Sequence, residues 1–548
     1  MSARRPHRFP KLLTDAVLRS ASVFFSSAHP YKYLSRSRVT RLAMPDPATH
    51  YQQLIAHIKK ASLLGSCGAV LSWDRETYMP VGGNEHRANQ MSLLAGVAHE
   101  WSTLPQIGEL LDQLADSELT DAADSDTAVN IREIRRTYDR SRKLPQRLVE
   151  EMSRVTALAQ HHWAEARKTA DFGSFAPWLK QIIDLKREEA AAVGFADGGE
   201  PYDALLDEYE PGASSADVAT VFDALRKEVV PLLDAIKGAA KTPDAALLTQ
   251  NFPITQQAEL GREAAAAIGF DFDKGRLDVT THPFCSGFGP GDCRLTTRYD
   301  ESFFSSAFFG TLHESGHGMY EQGLPDDAFG TPLGSSVSLG IHGSQSRMWE
   351  NLVGRSRAFW EHFYPKAQRQ FSALQSTRLD DFHFAINSVS PSFIRVEADE
   401  VTYNLHIMLR FDIERDLISG ALKPADVPEV WNSRFQSDFG ITPANDTEGC
   451  LQDVHWSAGL LGYFPTYALG NMYAAQFFAA AEEQLGDLNA MFAKGEFAPL
   501  LQWLREHIHQ HGQRFTASRL VEVVTGKSLS NKPLMEQLNA RFRPLYGI

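Results

Sequence analysis

The chain has 548 residues, of which 43% are hydrophobic and 22% are charged, and these values are ordinary for a globular protein. Its formal net charge of −14 argues against a nucleic-acid surface or an anionic membrane as partner. Four cysteines in so long a chain make no disulfide framework, so we expect reduced thiols. No uninterrupted apolar run approaches the roughly 18–20 residues that span a bilayer, and we predict no membrane partner.

The first 43 residues differ from the rest of the chain in charge. They contain nine Lys or Arg residues and one acid, Asp15, and they are rich in serine. Such a start is typical of an organellar transit peptide, which would place the protein in an organellar matrix. The alternative is that Met44 is the true start and that residues 1–43 are a wrongly assigned or disordered extension. We favour the alternative, which predicts a cytoplasmic protein with one domain at residues 44–548.

Amphipathic helices are predicted along most of the chain, because apolar residues recur at three and four positions with charges between them. The first group is Tyr51–Leu64, Asn84–Glu100, Pro105–Ala115, Ser125–Lys143, Gln146–Lys168, Phe172–Val193, Ser215–Ala240 and Ile254–Ile268. The second group is Ser344–His362, Ala367–Asn387, Phe393–Ile418, Ala425–Phe439, Met472–Leu485 and Pro499–Glu506. Short connections indicate a single large helical domain.

A small sheet is predicted between the two groups of helices. Leu277–Phe284 and Cys293–Tyr299 have the character of strands, and Gly287–Asp292 reads as a turn between them. The hairpin precedes His313-Glu314-Ser315-Gly316-His317, in which two histidines lie one helical turn apart. Their imidazoles can converge on one Zn²⁺, and Glu314 can take a proton from a water activated by the metal.

Seven motifs occur in an order that resembles the Taq-type metallocarboxypeptidases, peptidase family M32. The resemblance extends from about residue 50 to the C-terminus. Its motifs are Trp73–Gly83, Tyr202–Gly212, His282–Phe284, Asp292–Tyr299, His313–His317, Ile394–Glu400 and Gly449–Trp456.

The resemblance implies a mainly α, zincin-like fold with a deep groove, a small sheet beside the His313–His317 helix, and a homodimer. It also implies that single residues are removed from the C-termini of peptide substrates. His313 and His317 would bind one divalent metal ion, Zn²⁺ or Co²⁺, and Glu314 would be the general base and acid.

One motif departs from the family pattern at a metal ligand. The third ligand of the family is the Glu of a His-Glu-Ser-x-Ser-Arg motif, and the matching stretch here is His342–Arg347. Gly343 occupies the ligand position, and glycine has no side chain that could bind a metal. Helical geometry favours none of the neighbouring candidates, His342, Glu350 and Glu321, as a replacement.

Cations are expected to bind the C-terminal carboxylate of the substrate, because a guanidinium pairs bidentately with a carboxylate. The candidates are Arg395, Arg347, Arg298 and Arg410, with Arg395 preferred, although each could instead pair with a nearby acid. By resemblance Gln452, Asp453, His455 and Trp456 line the groove. His455 or Tyr463 is a candidate for stabilising the oxyanion, His282 is a further candidate for the same role, and Asp399 or Glu400 is a candidate for orienting a zinc histidine.

Three functions are consistent with these residues. The first is a metallocarboxypeptidase. The second is a catalytically impaired peptide-binding homologue, because Gly343 leaves the metal site incomplete. The third is an endo-acting oligopeptidase of a related helical type.

Overall fold

Helices form nearly all of the secondary structure in residues 46–548, the part of the chain that the computed structural model describes. The predicted leader lies outside the described residues. The helices before the sheet are α1 Pro47–Thr77, α2 Asn84–Ser102, α3 Pro105–Leu114, α4 Asp126–Lys143, α5 Gln146–Thr169, α6 Phe172–Val193, α7 Pro201–Leu206, α8 Ser215–Lys237 and α9 Ile254–Ile268. The predicted mainly α fold is confirmed.

The helices after the sheet begin with the one that carries His313 and His317. They are α10 Phe304–Glu321, α11 Leu339–Arg347, α12 Arg357–Gln370, α13 Leu379–Ile386, α14 Tyr403–Ser419, α15 Val427–Phe439, α16 Pro465–Leu485, α17 Leu488–Phe492, α18 Ala498–His507, α19 Ala517–Thr525 and α20 Lys532–Tyr546. A π-helical segment, Met348–Val353, follows α11 directly.

The sheet has three strands, β1 Gly275–Val279, β2 Cys285–Gly289 and β3 Asp292–Thr297, in the order β1-β3-β2. Strand β3 pairs antiparallel with β2 and parallel with β1. The predicted hairpin is therefore present, but its first strand is β2 and not residues 277–284. Pro283 explains the difference, because proline cannot donate a ladder hydrogen bond and so ends a strand.

Two long predicted helices are interrupted in the structure. The helix predicted at Ser344–His362 is divided by the π-helical segment and by a turn, and α12 begins only after Ser356 caps it by accepting from the Phe359 N–H. The helix predicted at Phe393–Ile418 begins ten residues later, at Tyr403. The carboxylate of Asp399 accepts N–H bonds from Ser390, Val401 and Thr402, which hold the preceding segment as a loop.

The core surrounds helix α10. Phe304 and Phe308 stack with ring centroids 5.3 Å apart, and Trp360 of α12 lies 5.0 Å from Phe308. All three side chains are buried, and each contributes roughly 1.5–3 kcal/mol through removal of apolar surface from water. The apolar start of α10 thus anchors the helix and fixes the direction of the residues that follow.

Helices α1 and α2 leave most of their surface exposed. The buried side chains of α1 are His50, Leu54 and Trp73, and no residue of α2 is buried. Leu63 of α1 is 60% exposed and Leu93 of α2 is 69% exposed. By length and composition alone, α1 is the one helix among residues 46–548 that could cross a membrane. One such helix is weak evidence, because other apolar helices meet the same criterion, and the expectation of no membrane partner stays a prediction.

Helices α10 and α11 touch through their backbones. A Cβ atom built on Gly316 of α10 would lie 2.6 Å from the Gln345 carbonyl oxygen and 2.6 Å from the Ser346 Cα of α11. Real Cβ contacts are longer than this, so only glycine permits so close a crossing. The crossing brings the helix that carries His313 and His317 against the helix that carries Gly343.

We expect Gly316→Ala to lower the free energy of unfolding by about 1–3 kcal/mol, because the added methyl group forces α10 and α11 apart. Gly310→Ala is the matched control on the same helix, since a Cβ there has no atom within 4 Å. It should raise stability by about 0.5–1 kcal/mol, the usual gain of alanine over glycine inside a helix. Thermal and urea unfolding measure both variants, and equal effects at the two positions would contradict the close crossing.

Candidate functional site

The two histidines of α10 face the same side of the helix. Their ring centroids are 5.0 Å apart, with the ring planes at 79°. His313 Nδ1 lies 2.8 Å from Oε2 of Glu350, which leaves its Nε2 available to a metal ion. Burial lowers the pKa of His317 well below its usual range, so the imidazole is neutral and keeps a lone pair for coordination.

Glu314, between the histidines in sequence, is buried, and burial raises the pKa of its carboxyl to about 7. A group with this pKa exchanges a proton readily at neutral pH, as a general base and acid must. The position and the pKa of Glu314 therefore agree with its predicted role.

Glu350 orients His313. Its carboxylate accepts from Arg347 Nη1 at 3.2 Å and lies 3.6 Å from Arg355 Nη2. Burial alone would raise the pKa of Glu350, but Arg347 and His313 outweigh it and hold the pKa well below its usual range. A permanently ionised carboxylate on Nδ1 fixes the tautomer of a metal-binding histidine.

Asp399 and Glu400, which the sequence suggested for orienting a zinc histidine, make other contacts in the structure. Asp399 caps the loop before α14, and Glu400 pairs with Arg541. Neither contacts a metal-site histidine in the described structure. The sequence analysis does not predict that Glu350 orients His313. On an ideal helix Glu350 lies seven residues from Gly343, or roughly 10 Å along the axis, which is too far for a contact with the histidines. The π-helical segment and the close crossing with α10 bring its side chain to His313 instead.

The described residues do not complete a three-ligand metal site. No group of three or more His, Cys, Asp or Glu side chains in residues 46–548 is arranged to hold a metal ion. Glu350 is engaged by His313 and two arginines. Glu321 Oε1 accepts from His342 Nε2 at 2.9 Å, and the His342 ring stacks on His317 at 4.5 Å. Stacked imidazoles direct their lone pairs side by side and not toward one ion, so the residues present fit two ligands and not a third.

A second cluster adjoins the histidines and contains Arg395 and Arg410. Asp453 accepts from Arg395 Nη2 at 2.8 Å and from Arg410 Nε at 2.7 Å. Arg395 Nη1 also donates to the Tyr403 hydroxyl at 3.2 Å. The side chain of Arg410 has no exposed surface, so it pairs with Asp453 inside the protein and does not line a surface open to a ligand.

Arg347 joins the two clusters. Its guanidinium lies 4.1 Å from the centroid of the Tyr403 ring, and its Nη1 contacts Glu350. The combined cluster contains more positive than negative groups, since Arg347, Arg355, Arg395 and Arg410 face Glu350 and Asp453. An excess of buried guanidinium groups favours an anionic ligand such as a carboxylate.

The remaining predicted groove residues divide into two sets. Gln452 accepts from the Arg395 N–H at 2.8 Å, and the rings of His455 and Tyr463 lie 5.5 Å apart beside the arginine cluster. Burial lowers the pKa of His455 to about 4, so its imidazole is neutral. His282 and Arg298 are exposed near the sheet, where Arg298 donates to the Thr281 carbonyl at 3.4 Å. The structure brings the first set to the arginine cluster and leaves the second set outside it.

Two histidines on a buried helix, a glutamate between them and a neighbouring arginine cluster define the site of a helical metallopeptidase. The family model described as carboxypeptidase Taq (M32) metallopeptidase matches residues 53–542. The chain therefore belongs to the M32 carboxypeptidase family, and it is a metallocarboxypeptidase that acts on peptides with a divalent metal cofactor.

Relatives and solved structures cover nearly the whole chain. Thermostable carboxypeptidase 1 of Thermus thermophilus is 48% identical over 508 residues, which are 91% of this chain and all of that one. Carboxypeptidase 1 of Bacillus subtilis is 38% identical, over 91% of this chain and 99% of that one. The M32 carboxypeptidase structure from Deinococcus radiodurans has a TM-score of 0.88 at 38% identity, over 91% of this chain and all of that one.

We expect Glu314→Gln to stabilise the metal-free protein at pH 8 and to have little effect near pH 5. The raised pKa means that the folded state disfavours the ionised carboxylate, and this cost is fully present above pH 7 and vanishes as the pH falls toward 4.5. The gain at pH 8 should be roughly 2–3 kcal/mol, measured by urea unfolding after chelation. An equal gain at both pH values would contradict the raised pKa of Glu314.

Proposed function

We propose that this chain releases single residues from peptide C-termini with Glu314 as general base and acid and with His313 and His317 binding Zn²⁺. Co²⁺ is the second candidate metal. The observation that supports the proposal most directly is the buried, near-neutral Glu314 between two histidines, next to a cluster with excess guanidinium charge.

Substrate binding is assigned to the exposed side of the arginine cluster. Within residues 46–548, Arg347 donates to one carboxylate, Glu350, through Nη1 and lies over the Tyr403 ring, whereas Arg395 donates to both Asp453 and the Tyr403 hydroxyl. We therefore assign the terminal carboxylate of the peptide to Arg347, with Arg395 holding Asp453 and Tyr403 in place behind it. This order differs from the sequence-based preference for Arg395.

Glu314 moves the proton during hydrolysis. It accepts a proton from the attacking water and returns it to the leaving amine, a role that its pKa of about 7 allows in both directions. His455 and Tyr463 are positioned beside the arginine cluster, where a hydroxyl or imidazole N–H can donate to the developing oxyanion. A bound divalent metal would supply Lewis-acid polarisation of the scissile carbonyl.

Gly343 favours a second candidate function, a peptide-binding homologue with impaired catalysis. Losing one ligand weakens metal binding, because structural zinc gains about 10–16 kcal/mol from four ligands, or roughly 3 kcal/mol each. The fold and the arginine cluster do not depend on position 343, so peptide binding would persist without turnover.

With Zn²⁺ or Co²⁺ in excess, the protein should release the C-terminal residue of an N-blocked dipeptide. It should not cleave the same dipeptide when the C-terminus is amidated. Chromatography of the released amino acid measures both reactions. Release by Gly343→Glu alone would establish the impaired function. Release by neither protein would exclude the carboxypeptidase proposal, and internal cleavage of an amidated peptide would favour the endo-acting alternative.

Arg347→Gln tests the assignment of the terminal carboxylate. Loss of one charge-assisted hydrogen bond of about 1.5–3 kcal/mol should lower kcat/KM by roughly 10- to 100-fold, mainly through KM. Arg298→Gln is the matched control, since Arg298 is exposed and lies outside the cluster. Comparable losses in the two variants would exclude Arg347 as the specific carboxylate ligand.

We also propose a cytoplasmic homodimer that pairs through α1 and α2. The exposed apolar residues Leu63 and Leu93 lie on two helices that bury almost nothing within one chain. Helices α1 and α2 pack against each other, and apolar residues exposed on neighbouring helices favour a subunit interface. The free thiols of Cys67, Cys285, Cys293 and Cys450 are consistent with a reducing compartment.

Light scattering coupled to size exclusion should give the mass of two chains. Leu63→Glu together with Leu93→Glu should reduce it to one chain, because burying two carboxylates costs several kcal/mol. The double variant Leu63→Gln with Leu93→Gln is the control, because it makes the same two positions polar without adding charge. A monomeric wild-type protein at micromolar concentration would contradict the dimer.

A further inference from the structure

The segment from His455 to Tyr463 joins the two side chains that we propose as oxyanion donors. Their rings lie beside the arginine cluster with centroids 5.5 Å apart. The N–H groups of Ala458 and Leu460 donate to the His455 carbonyl at 3.1 and 2.9 Å, which folds the segment into a compact turn. The distance between the two rings therefore depends on what holds the two ends of this turn.

Glu414 of α14 binds both ends of the turn. Its Oε1 accepts from the indole Nε1 of Trp456 at 2.8 Å, and its Oε2 accepts from the N–H of Gly462 at 3.0 Å. Trp456 directly follows His455, and Gly462 directly precedes Tyr463. A single carboxylate thus bonds the residue beside each proposed oxyanion donor.

The position of Glu414 is itself well defined. The side chain has no exposed surface, and the buried hydroxyl of Tyr202 donates to its Oε2 at 2.6 Å. Three donors from separate parts of the chain therefore converge on the two oxygens of this carboxyl group. Burial raises the pKa of Glu414 to about 7, because the charged form is removed from water. An apolar side chain would fill the same volume at a lower cost, so packing alone does not account for a carboxyl group here.

The motif Tyr202–Gly212 packs behind the same turn. A Cβ built on Gly462, whose φ is +91°, would lie 2.7 Å from the carbonyl oxygen of Leu205, so only glycine allows the turn to approach α7 this closely. The ring of Tyr209 lies 5.2 Å from the ring of Tyr463, at an interplanar angle of 70°. The motif therefore supports the Tyr463 end of the turn directly, and its Tyr202 holds Glu414.

Arg410 gives α14 a second contact with the same loop. It lies one helical turn before Glu414, and its Nε donates to Asp453 at 2.7 Å. Asp453 precedes His455 by two residues. Helix α14 therefore holds the His455 end of the turn on both sides, through Asp453 and through Trp456.

We propose that Glu414 is a positioning residue that holds His455 and Tyr463 at the separation from which they donate to the oxyanion. The inference rests on the proposed function, in which these two side chains stabilise the developing charge. Glu414 is fully buried and acts only through its hydrogen bonds to the turn. Donors aligned in advance stabilise the transition state more than the bound substrate, so displacing them should lower kcat and leave KM nearly unchanged.

The test compares Glu414→Gln with Asp412→Asn, a matched control on the same helix. Glutamine has the length of glutamate, but its amide nitrogen cannot accept a hydrogen bond from the turn. With Zn²⁺ or Co²⁺ in excess and an N-blocked dipeptide as substrate, kcat of Glu414→Gln should fall about 10- to 100-fold, with KM within about twofold of the wild type. Asp412 pairs with Arg226 of α8 at 2.6 Å instead of with the turn, so Asp412→Asn should keep both kinetic constants.

Trp456→Phe removes the same hydrogen bond from its other partner and keeps an aromatic ring in place. It should also lower kcat with little effect on KM, and the double variant with Glu414→Gln should lose no more than Glu414→Gln alone, because both changes remove one interaction. Losses that multiply in the double variant would overturn the inference. If Glu414→Gln does not fold, a wild-type kcat in Trp456→Phe overturns it instead.

Crystal structures of the two α14 variants separate this inference from the proposed function. The ring centroids of His455 and Tyr463 should leave their separation of 5.5 Å in Glu414→Gln and keep it in Asp412→Asn. An unchanged separation in Glu414→Gln, or a changed separation with a wild-type kcat, overturns the inference and leaves the carboxypeptidase proposal intact. A wild type that releases no terminal residue excludes the carboxypeptidase proposal, and the separation in Glu414→Gln then still decides whether Glu414 holds the two rings.

Discussion

The backbone contact between α10 and α11 at Gly316 is the constraint on which the site depends. Only a glycine allows the Gln345 carbonyl to approach so closely, and the helices then hold His317, His342 and Gly343 side by side. Both helices are anchored from behind, α10 by Phe304 and Phe308 against Trp360 and α11 by the backbone of α16. The geometry of the site is therefore set by packing that involves no metal ligand.

Buried charge is the second feature that the fold must accommodate. Removing charges from water is costly, and the protein offsets the cost by sharing each carboxylate among several cations. Asp453 is shared by Arg395 and Arg410, and Glu350 by Arg347, Arg355 and His313. Glu314 has no such partner among the described residues, so burial raises the pKa of its carboxyl to about 7. The protein thus keeps one carboxyl near neutrality beside two that stay ionised.

Position 343 shows that a fold and its metal site have different requirements. The chain matches the solved M32 carboxypeptidase of Deinococcus radiodurans with a TM-score of 0.88, although glycine occupies position 343, where the resemblance to the family leads us to expect a third metal ligand. Among the described residues, no atom lies within 4 Å of a Cβ built at position 343, so glycine at this position leaves the neighbouring packing undisturbed. Similarity of the overall fold does not depend on a side chain that makes no packing contact.

The sequence by itself determined the helical class, the His313–His317 motif, the family and the glycine at position 343, because these depend on residue types at short spacing. It predicted the hairpin but not its strand order, since pairing between β1 and β3 is decided by distant packing. Only the tertiary structure placed Glu350 on His313, because a π-helical segment and the crossing of α10 and α11 override the ideal spacing of a helix. The division of the arginines between Arg410, buried behind Asp453, and Arg347, which donates to Glu350, likewise depends on contacts across the fold that no local pattern contains.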